Sequence, residues 1–355
     1  MKIGLDGTPL TVAADGTARY TAQLSRALAV EFPEDEILLL SDQPFAAPAA
    51  APGNLRVGGG PRNWMERRWW LFGIAREMSR QRVDVFHGTG FSVPYLPLRP
   101  SVLSIHDLSP WLDPAWHYAA DRVRRRTPLL ARWGLATMVL TDTEAIRRAV
   151  AAHFRLSLDR VAAVPLAAAG AFRPLPGPPA PKPYFLFTGT IEPRKNLTML
   201  VDAWREVARE IAVELVLVGR RRADGPRLDP EPGLRMMGEV DDEELARLYN
   251  GALALVYPSW YEGFGLPVIE AMSCGAAVVA SRDPALVEVC GGAALHVDAG
   301  DARGWADAMR ALTGKPELAV SWRERGLSRA QEFSWARTAR MTREVYAEAR
   351  RRFGA

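Results

Sequence analysis

The chain has 355 residues, and a length of this kind typically divides into two domains of about 150 residues each. Hydrophobic residues make up 48% and charged residues 24%, which is a globular composition and excludes disordered, collagen-like and coiled-coil proteins. The net charge of +4 is too small to indicate a nucleic-acid partner, whereas an anionic substrate or membrane surface remains compatible with it.

Neither membrane insertion nor export is expected. The uncharged stretch 248–261, which no other uncharged stretch exceeds in length, is shorter than the roughly 20 apolar residues that cross a bilayer. Asp6 interrupts the apolar start and argues against a secretory signal, so we expect a cytoplasmic protein. Cys274 and Cys290 are expected to be buried free thiols, because their surroundings are apolar.

Apolar strands alternate with helical patterns along the first half of the chain. Strands are predicted at residues 3–5, 37–40, 83–86, 102–105, 137–140 and 161–164. A helix with apolar residues at helical spacing is predicted between Tyr20 and Leu28. Six prolines between residues 172 and 183 predict a stiff, extended linker.

The alternation restarts after this linker. Strands are predicted at residues 184–187, 213–218, 252–257 and 277–280, and helices at 243–249, 266–274 and from 301 onward. Asn196 is predicted to cap a helix with a stripe of Leu197, Leu200, Val201 and Trp204. Ser334 is predicted to cap the last helix, with Trp335, Ala339, Val345, Tyr346, Ala349 and Phe353 on its apolar side.

Strands that are apolar throughout and alternate with helices indicate parallel sheets covered on both faces. The predicted fold class is therefore α/β, with two doubly wound Rossmann-like domains. The N-terminal domain covers residues 1–171, and the linker covers 172–183. The C-terminal domain covers 184–333, and a last helix covers 334–355.

Ligands of such sheets bind beyond the carboxyl ends of the strands, so polar residues directly after a strand are candidates. Arg194 and Lys195 lie between a predicted strand end and a helix start, where the two cations would suit a diphosphate. The alternative is that they are two solvated loop cations.

A second candidate is the segment from Glu262 to Glu270. Its glycines and Pro267 predict a tight turn, with the helix beginning near Leu266 and Glu270 about one turn inside it. The amides of Gly265 and Leu266 would then point outward between two carboxylates. The alternative is a surface loop with a salt-bridged helix, although the apolar flanks favour a buried site.

The third candidate is His106, followed by Asp107, directly after a predicted strand. His87 has the same placement after its own strand, so position does not separate the two. A structural role is the alternative for either histidine.

Together these segments resemble the retaining family-4 glycosyltransferases of the GT-B fold, in particular bacterial mannosyltransferases of surface polysaccharide assembly. The matching residues are Glu262 and Glu270 with the Gly-Phe-Gly-Leu-Pro insert, Ala271-Met272-Ser273-Cys274-Gly275, Glu192-Pro193-Arg194-Lys195-Asn196-Leu197, residues 216–219, Gly238-Glu239-Val240 and His106-Asp107. The first loop departs from the family pattern, because Ala18 stands where a second glycine is usual after Gly16.

The resemblance implies that the two domains face each other across a cleft, that residues 1–171 bind the acceptor and that residues 184–333 bind the nucleotide sugar. It also implies that the helix at 334–355 crosses back to the first domain, and it gives roles to several of the matching residues. The residues implied to bind the donor diphosphate are Arg194, Lys195, Gly16, Gly265 and Leu266. The residues implied to bind the transferred sugar are Glu262, Gly263, Phe264 and Gly265. The residues implied to bind the ribose and the base are Glu270, Val240 and Gly219. The residues implied to be catalytic are His106 and Glu262. No metal or other cofactor is expected, because the chain contains no Asp-x-Asp and the two cations would replace the ion.

The implied reaction is transfer of a hexose from a nucleoside diphosphate sugar to a hydroxyl of a glycan or lipid-linked saccharide, with retained configuration. GDP-mannose is the favoured donor, and a GDP-deoxyhexose, a UDP-sugar or a dTDP-sugar are the alternatives. An epimerase of the same fold and a non-catalytic nucleotide-sugar-binding protein remain as other functions. The absence of Gly-x-Gly-x-x-Gly and of Gly-x(4)-Gly-Lys argues against oxidoreductases and P-loop enzymes.

Residues 56–82 combine seven arginines with Trp64, Trp69, Trp70 and Phe72. This segment is compatible with peripheral contact to an anionic membrane at the inner face. The alternative is an amphipathic helix packed on its own sheet with its arginines outside.

Overall fold

The computed structural model describes residues 1–12, 16–48, 50–116, 120–176 and 182–353. The chain divides into two units, of which unit 1 comprises Met1–Leu166 with Ser334–Ala355 and unit 2 comprises Ala167–Phe333. Residues 177–181 of the predicted linker lie outside the described residues.

Strands and helices alternate along the described chain. The strands are β1 Lys2–Asp6, β2 Glu36–Leu40, β3 Leu55–Val57, β4 Val85–Gly88, β5 Ser101–Ser104, β6 Met138–Thr141, β7 Val161–Ala163, β8 Tyr184–Thr188, β9 Glu214–Val218, β10 Leu234–Gly238, β11 Ala254–Tyr257, β12 Ala277–Ser281 and β13 Leu295–Val297. The α-helices are α1 Gly16–Glu31, α2 Ile74–Gln81, α3 Ser109–Leu112, α4 Asp121–Arg132, α5 Glu144–Phe154, α6 Leu197–Ala208, α7 Asp242–Gly251, α8 Leu266–Ser273, α9 Pro284–Cys290, α10 Ala302–Gly314, α11 Pro316–Ala330 and α12 Trp335–Phe353.

Unit 1 is built, within its described residues, on a seven-stranded parallel sheet in the order β3-β2-β1-β4-β5-β6-β7. The central strands β4, β5 and β6 are buried along their whole length, as expected for a sheet covered on both faces. The strand order reverses between β1 and β4, which places the polar loops after these strands at a topological switch point.

Unit 2 repeats this plan with a six-stranded parallel sheet, again within its described residues, in the order β10-β9-β8-β11-β12-β13. Its switch point lies between β8 and β11. The loops after these two strands are the segments that carry Arg194 and Glu262. The prediction of an α/β fold with two doubly wound domains is confirmed.

The edge strands β3, β10 and β13 were absent from the predicted elements. Two of them have only three residues, and most residues of all three are half-buried or exposed. They contain no continuous apolar run, so the pattern that predicted the central strands does not mark them, whereas the edge strand β7 was predicted at residues 161–164.

One of the two predicted helix caps is wrong. Asn196 precedes α6 with a left-handed backbone (φ 56°), and its side chain makes no capping hydrogen bond. Its Nδ2 donates instead to the carbonyl oxygen of Ala299 at 2.6 Å. Ser334 does cap α12, since its Oγ accepts the N–H of Arg337 at 3.2 Å.

The last helix, α12, belongs to unit 1 and packs on α1. Ala339, Tyr346 and Ala349 are fully buried, but Phe353 is exposed, contrary to the predicted apolar side, because it lies in the last turn of the helix.

Unit 2 begins earlier in the chain than the predicted linker. The reason is that Phe172 packs edge-on against Tyr249, while Asn250 accepts the N–H of Leu175 at 2.8 Å. These contacts attach the start of the proline-rich segment to α7.

The basic aromatic segment 56–82 is helical only from residue 69 to residue 81, after the end of β3 and a turn, and this helical part is packed. Ile74, Ala75 and Met78 of α2 are buried, as is Trp69, whereas Trp64 is 74% exposed. Among the described residues, no helix is both long enough and apolar enough to span a bilayer. Cys274 and Cys290 are buried free thiols, as predicted.

Candidate active site

The glycine-containing bend after β11 positions the first candidate carboxylate. Gly265 has a left-handed backbone (φ 88°), and a Cβ there would lie 2.4 Å from Cδ2 of Leu286, so the bend requires glycine. α8 starts at the next residue, with Pro267 in its first turn. The first N–H groups of a helix have no acceptor within the helix, so the start of α8 offers amides to an anion.

Glu262 lies in the loop before this helix and contacts both candidate cations. Its Oε1 lies 2.5 Å from Nζ of Lys195, and its Oε2 lies 3.1 Å from Nη1 of Arg194. Nζ of Lys195 also donates to the hydroxyl of Tyr257 at 2.7 Å, and Nη1 of Arg194 donates to the carbonyl oxygen of Tyr261 at 2.5 Å. The structure thus brings together three side chains that the sequence placed in two separate loops.

The charges of this group depend on one another. Burial raises the pKa of Glu262, but the adjacent charges of Lys195 and Arg194 outweigh burial and lower it to about 2. Burial lowers the pKa of Lys195, and the charge of Glu262 opposes this effect. Glu262 is therefore ionised at neutral pH, and it serves as the counter-ion of both cations.

A second carboxylate holds Arg194 from the other side. Oε1 of Glu192 lies 2.9 Å from Nη2 of Arg194, and its Oε2 accepts from Nη1 of Arg222 at 2.6 Å. Arg222 in turn contacts Asp224 at 2.5 Å. Arg194 is therefore fixed between two carboxylates, and Arg222 fixes one of them.

The other predicted donor-binding residues of unit 2 lie nearby in the chain but make different contacts. Oε2 of Glu270, inside α8, accepts from the hydroxyl of Tyr249 at 3.1 Å. The ring of Phe264 is buried edge-on against Phe333, so only its backbone is available to a ligand.

Gly219 and Val240 lie at the carboxyl ends of β9 and β10. Gly219 has φ 133°, and a Cβ there would lie 2.1 Å from the carbonyl oxygen of Gly189. Its N–H donates to the carbonyl oxygen of Gly238 at 2.7 Å. Three adjacent strands thus end in closely packed glycine backbone, and Val240, which is half-buried, follows directly.

In unit 1, His106 follows β5 and is hydrogen-bonded through both ring nitrogens. Nδ1 lies 2.8 Å from Oδ2 of Asp142, and Nε2 lies 2.9 Å from the carbonyl oxygen of Thr89. A carbonyl oxygen only accepts, so Nε2 carries a proton. Burial lowers the pKa of His106, but the charge and hydrogen bond of Asp142 outweigh it and raise it to about 9. His106 thus offers a positive charge and a ring edge, and both of its N–H groups are engaged.

His87 lies in a different environment. Its Nδ1 lies 2.7 Å from the hydroxyl of Tyr346, and its Nε2 lies 2.7 Å from Oγ of Ser104. Burial, together with the charge of His106, lowers its pKa to about 3. His87 is fully buried, whereas the side chain of His106 is 16% exposed. The structure thus encloses His87 completely and leaves part of the His106 ring exposed, and a role of either histidine in binding a ligand stays a prediction.

Two groups of charged residues around these candidates had no predicted role. Asp142 follows β6 directly, so the rule that identified His106 would also have found it. Glu192 and Arg222 lie in loops, where no periodicity indicates which charges pair. Gly16 begins α1 and is exposed, but residues 13–15 before it lie outside the described residues.

Two family models match the chain. Residues 14–167 match a family described as "Glycosyltransferase Family 4", and residues 182–315 match "Glycosyl transferases group 1". The "O-antigen chain mannosyltransferase B" of Escherichia coli is 31% identical, over 98% of this chain and 99% of that protein. This chain belongs to glycosyltransferase family 4.

Solved structures give this family-4 glycosyltransferase the same fold. A sucrose-phosphate synthase from Thermosynechococcus elongatus matches with a TM-score of 0.78 at 22% identity, covering 98% of each chain. The HepE protein of Anabaena, solved in complex with UDP-glucose, matches with a TM-score of 0.73 at 16% identity, covering 98% of this chain and 99% of that one.

Proposed function

We propose that this glycosyltransferase transfers mannose from GDP-mannose to a hydroxyl of a glycan or lipid-linked saccharide in polysaccharide biosynthesis, with retention of configuration. The observation that supports a nucleoside diphosphate sugar as the donor is the direct contact of Glu262 with Arg194 and Lys195 at the switch point of unit 2. In an open parallel sheet this is where a nucleotide binds.

In this proposal the leaving diphosphate lies on Arg194, Lys195 and the amides at the start of α8. The diphosphate gains negative charge as its bond to the sugar breaks, and fixed cations and amides stabilise that charge without reorganising. Glu262 and the following backbone accept the sugar, and Glu270 accepts the ribose hydroxyls. The two cations also allow transfer without a metal, which activity in EDTA would test.

The choice of mannose has support from the relative that matches over nearly its whole length, an O-antigen mannosyltransferase. Guanine as the base of the donor has weaker support, because the HepE structure contains UDP-glucose, whose base is uracil. The base and sugar are therefore best tested together with a panel of GDP-mannose, a GDP-deoxyhexose, UDP-glucose and a dTDP-hexose. We expect nucleotide release above background from GDP-mannose; no release from it would overturn the donor assignment.

The same assay separates the competing functions. An epimerase would convert the nucleotide sugar without an acceptor, and a binding protein would hold it without release. The anomeric configuration of the isolated product, read by NMR, tests retention. The predicted contact of His106 with the transferred sugar is tested by His106→Ala, for which full turnover would exclude a role.

A matched pair of lysine variants in unit 2 tests whether Lys195 binds the diphosphate. Lys195→Met removes a buried cation, and we expect kcat/KM to fall by roughly 100- to 1,000-fold. Lys182→Met removes an exposed lysine whose Nζ lies 3.6 Å from Oε1 of Glu214, and we expect activity near that of the wild type. Equal activity of the two variants would exclude Lys195 from the donor site.

We also propose that the acceptor is reached at a membrane surface. The support is Trp64, an exposed indole in a turn where Arg62, Arg67 and Arg68 are exposed as well. Buried Glu66 stabilises the turn by accepting the N–H of Arg62 at 2.9 Å. Co-sedimentation with vesicles should increase with anionic lipid and fall in Trp64→Ala; binding insensitive to both would exclude this contact.

A further inference from the structure

The cations proposed to bind the donor diphosphate are already neutralised within the chain. Glu262 uses one oxygen for Lys195 and the other for Arg194, so a single carboxylate bridges the two cations as one phosphate group would. The side chains of these three residues are only 7–11% exposed, so water screens their interaction weakly.

The ion pairs that connect these residues are balanced in charge. Among the residues that the structure describes, they join three positive and three negative groups, namely Arg194, Lys195, Arg222, Glu192, Glu262 and Asp224. A diphosphate added to this neutral cluster would bring uncompensated negative charge into a buried site, which is costly. One carboxylate must therefore leave the cations when the diphosphate arrives.

Glu262 is the carboxylate in a position to move. It lies in a loop, with Gly263 and Gly265 on the side that leads to α8. Both of its partners, Lys195 and Arg194, are cations proposed to bind the diphosphate, so its departure frees both of them. Glu192, in contrast, is also held by Arg222, which is not one of these two cations.

We infer that Glu262 acts as an internal counter-ion that occupies the diphosphate position and is displaced by the diphosphate of the donor. The displaced carboxylate becomes available to the sugar hydroxyls only after the diphosphate has bound. A free sugar therefore finds Glu262 engaged, and recognition of the sugar depends on prior recognition of the diphosphate. This inference rests on the proposed function, because it assumes that Arg194 and Lys195 bind the diphosphate.

Inorganic pyrophosphate is the probe that isolates this competition, since it has neither base nor sugar. Glu262→Gln keeps the shape of the side chain but removes its charge, so we expect pyrophosphate to bind at least tenfold more tightly than to the wild type by calorimetry. Glu270→Gln removes an equally buried carboxylate that accepts from Tyr249, and we expect no such tightening.

Glu262→Asp provides a second variant in case the glutamine variant folds poorly. The aspartate keeps the charge but is one methylene shorter and cannot bridge both cations, so we expect about threefold tighter binding. Circular dichroism checks that each variant is folded.

The outcomes separate the two proposals. If the wild type binds pyrophosphate and neither Glu262 variant binds it more tightly, the counter-ion inference is overturned while the proposed function stands. If the wild type binds neither pyrophosphate nor GDP-mannose, both fail. Tighter binding in the Glu262 variants but not in Glu270→Gln supports the inference.

Discussion

Replacing Asp142 by asparagine tests whether one buried carboxylate keeps His106 charged. The carboxylate lies 2.8 Å from Nδ1 of His106, while Nε2 is bonded to the carbonyl oxygen of Thr89. Burial alone favours the neutral ring, and the charge of Asp142 is the main effect that opposes it. We therefore expect the pKa of His106 to fall from about 9 to below 6.5 in Asp142→Asn.

The size of the effect follows from the two pKa values. The pKa of His106 rises from 6.5 to about 9 on folding, and one pKa unit corresponds to about 1.4 kcal/mol, so the rise is worth about 3 kcal/mol. Because the folded pKa is the higher one, this stabilisation is fully present below pH 6.5. It is lost as the pH rises through 9.

Two measurements check this reasoning. NMR titration of labelled histidine, with His106→Gln to assign the signal, gives the pKa in the wild type and in Asp142→Asn. Urea unfolding should show that the wild type loses about 3 kcal/mol relative to His106→Gln between pH 6.5 and 9.5. Asp107→Asn is the control, because this neighbour acts on the ring only through its charge and should lower the pKa less. A wild-type pKa near 6.5, or an unchanged pKa in Asp142→Asn, would refute the ion pair.

Three further predictions concern stability and are measured by urea or thermal unfolding. Gly219→Ala would place a Cβ 2.1 Å from a carbonyl oxygen and should lower the free energy of unfolding by at least about 2 kcal/mol. The Cβ of Gly238→Ala meets no atom within 4 Å, so this variant should lose only about 1 kcal/mol, because of its positive φ. Equal losses in the two variants would contradict the clash at Gly219. Tyr346→Phe removes the hydrogen bond to His87 and should cost about 1–2 kcal/mol, so an unchanged melting temperature would contradict its contribution. Asn196→Gly should be about 1 kcal/mol more stable than Asn196→Ala, because both lose the side-chain bond but only glycine accepts φ 56° freely; the reverse order would contradict this.

The central strands and main helices were predictable because their signal is local. Continuous apolar runs such as those of β8 and β11 occur only where a strand is covered on both faces. The edge strands β3 and β10 were missed for the same reason, since half-exposed residues carry no such run. Asn196 shows a different limit, because the sequence does not indicate which partner a polar side chain before a helix finds. Here Nδ2 donates to the distant carbonyl oxygen of Ala299, and the side-chain oxygen accepts no helix N–H.

The candidate site, like the fold, has features that the local sequence predicts and features that it does not. The sequence alone determined which loops are candidates for the chemistry, because residue type and position after a strand are properties of the local chain. It also identified the bend at Gly265, where the left-handed backbone requires glycine. Only the tertiary structure decided which charges meet. Lys195 and Glu262 are far apart in the chain, and their contact exists because β8 and β11 are neighbours in the sheet. The difference between His106 and His87 is likewise tertiary, since burial and hydrogen-bond partners from other elements separate two residues whose local sequence contexts are alike.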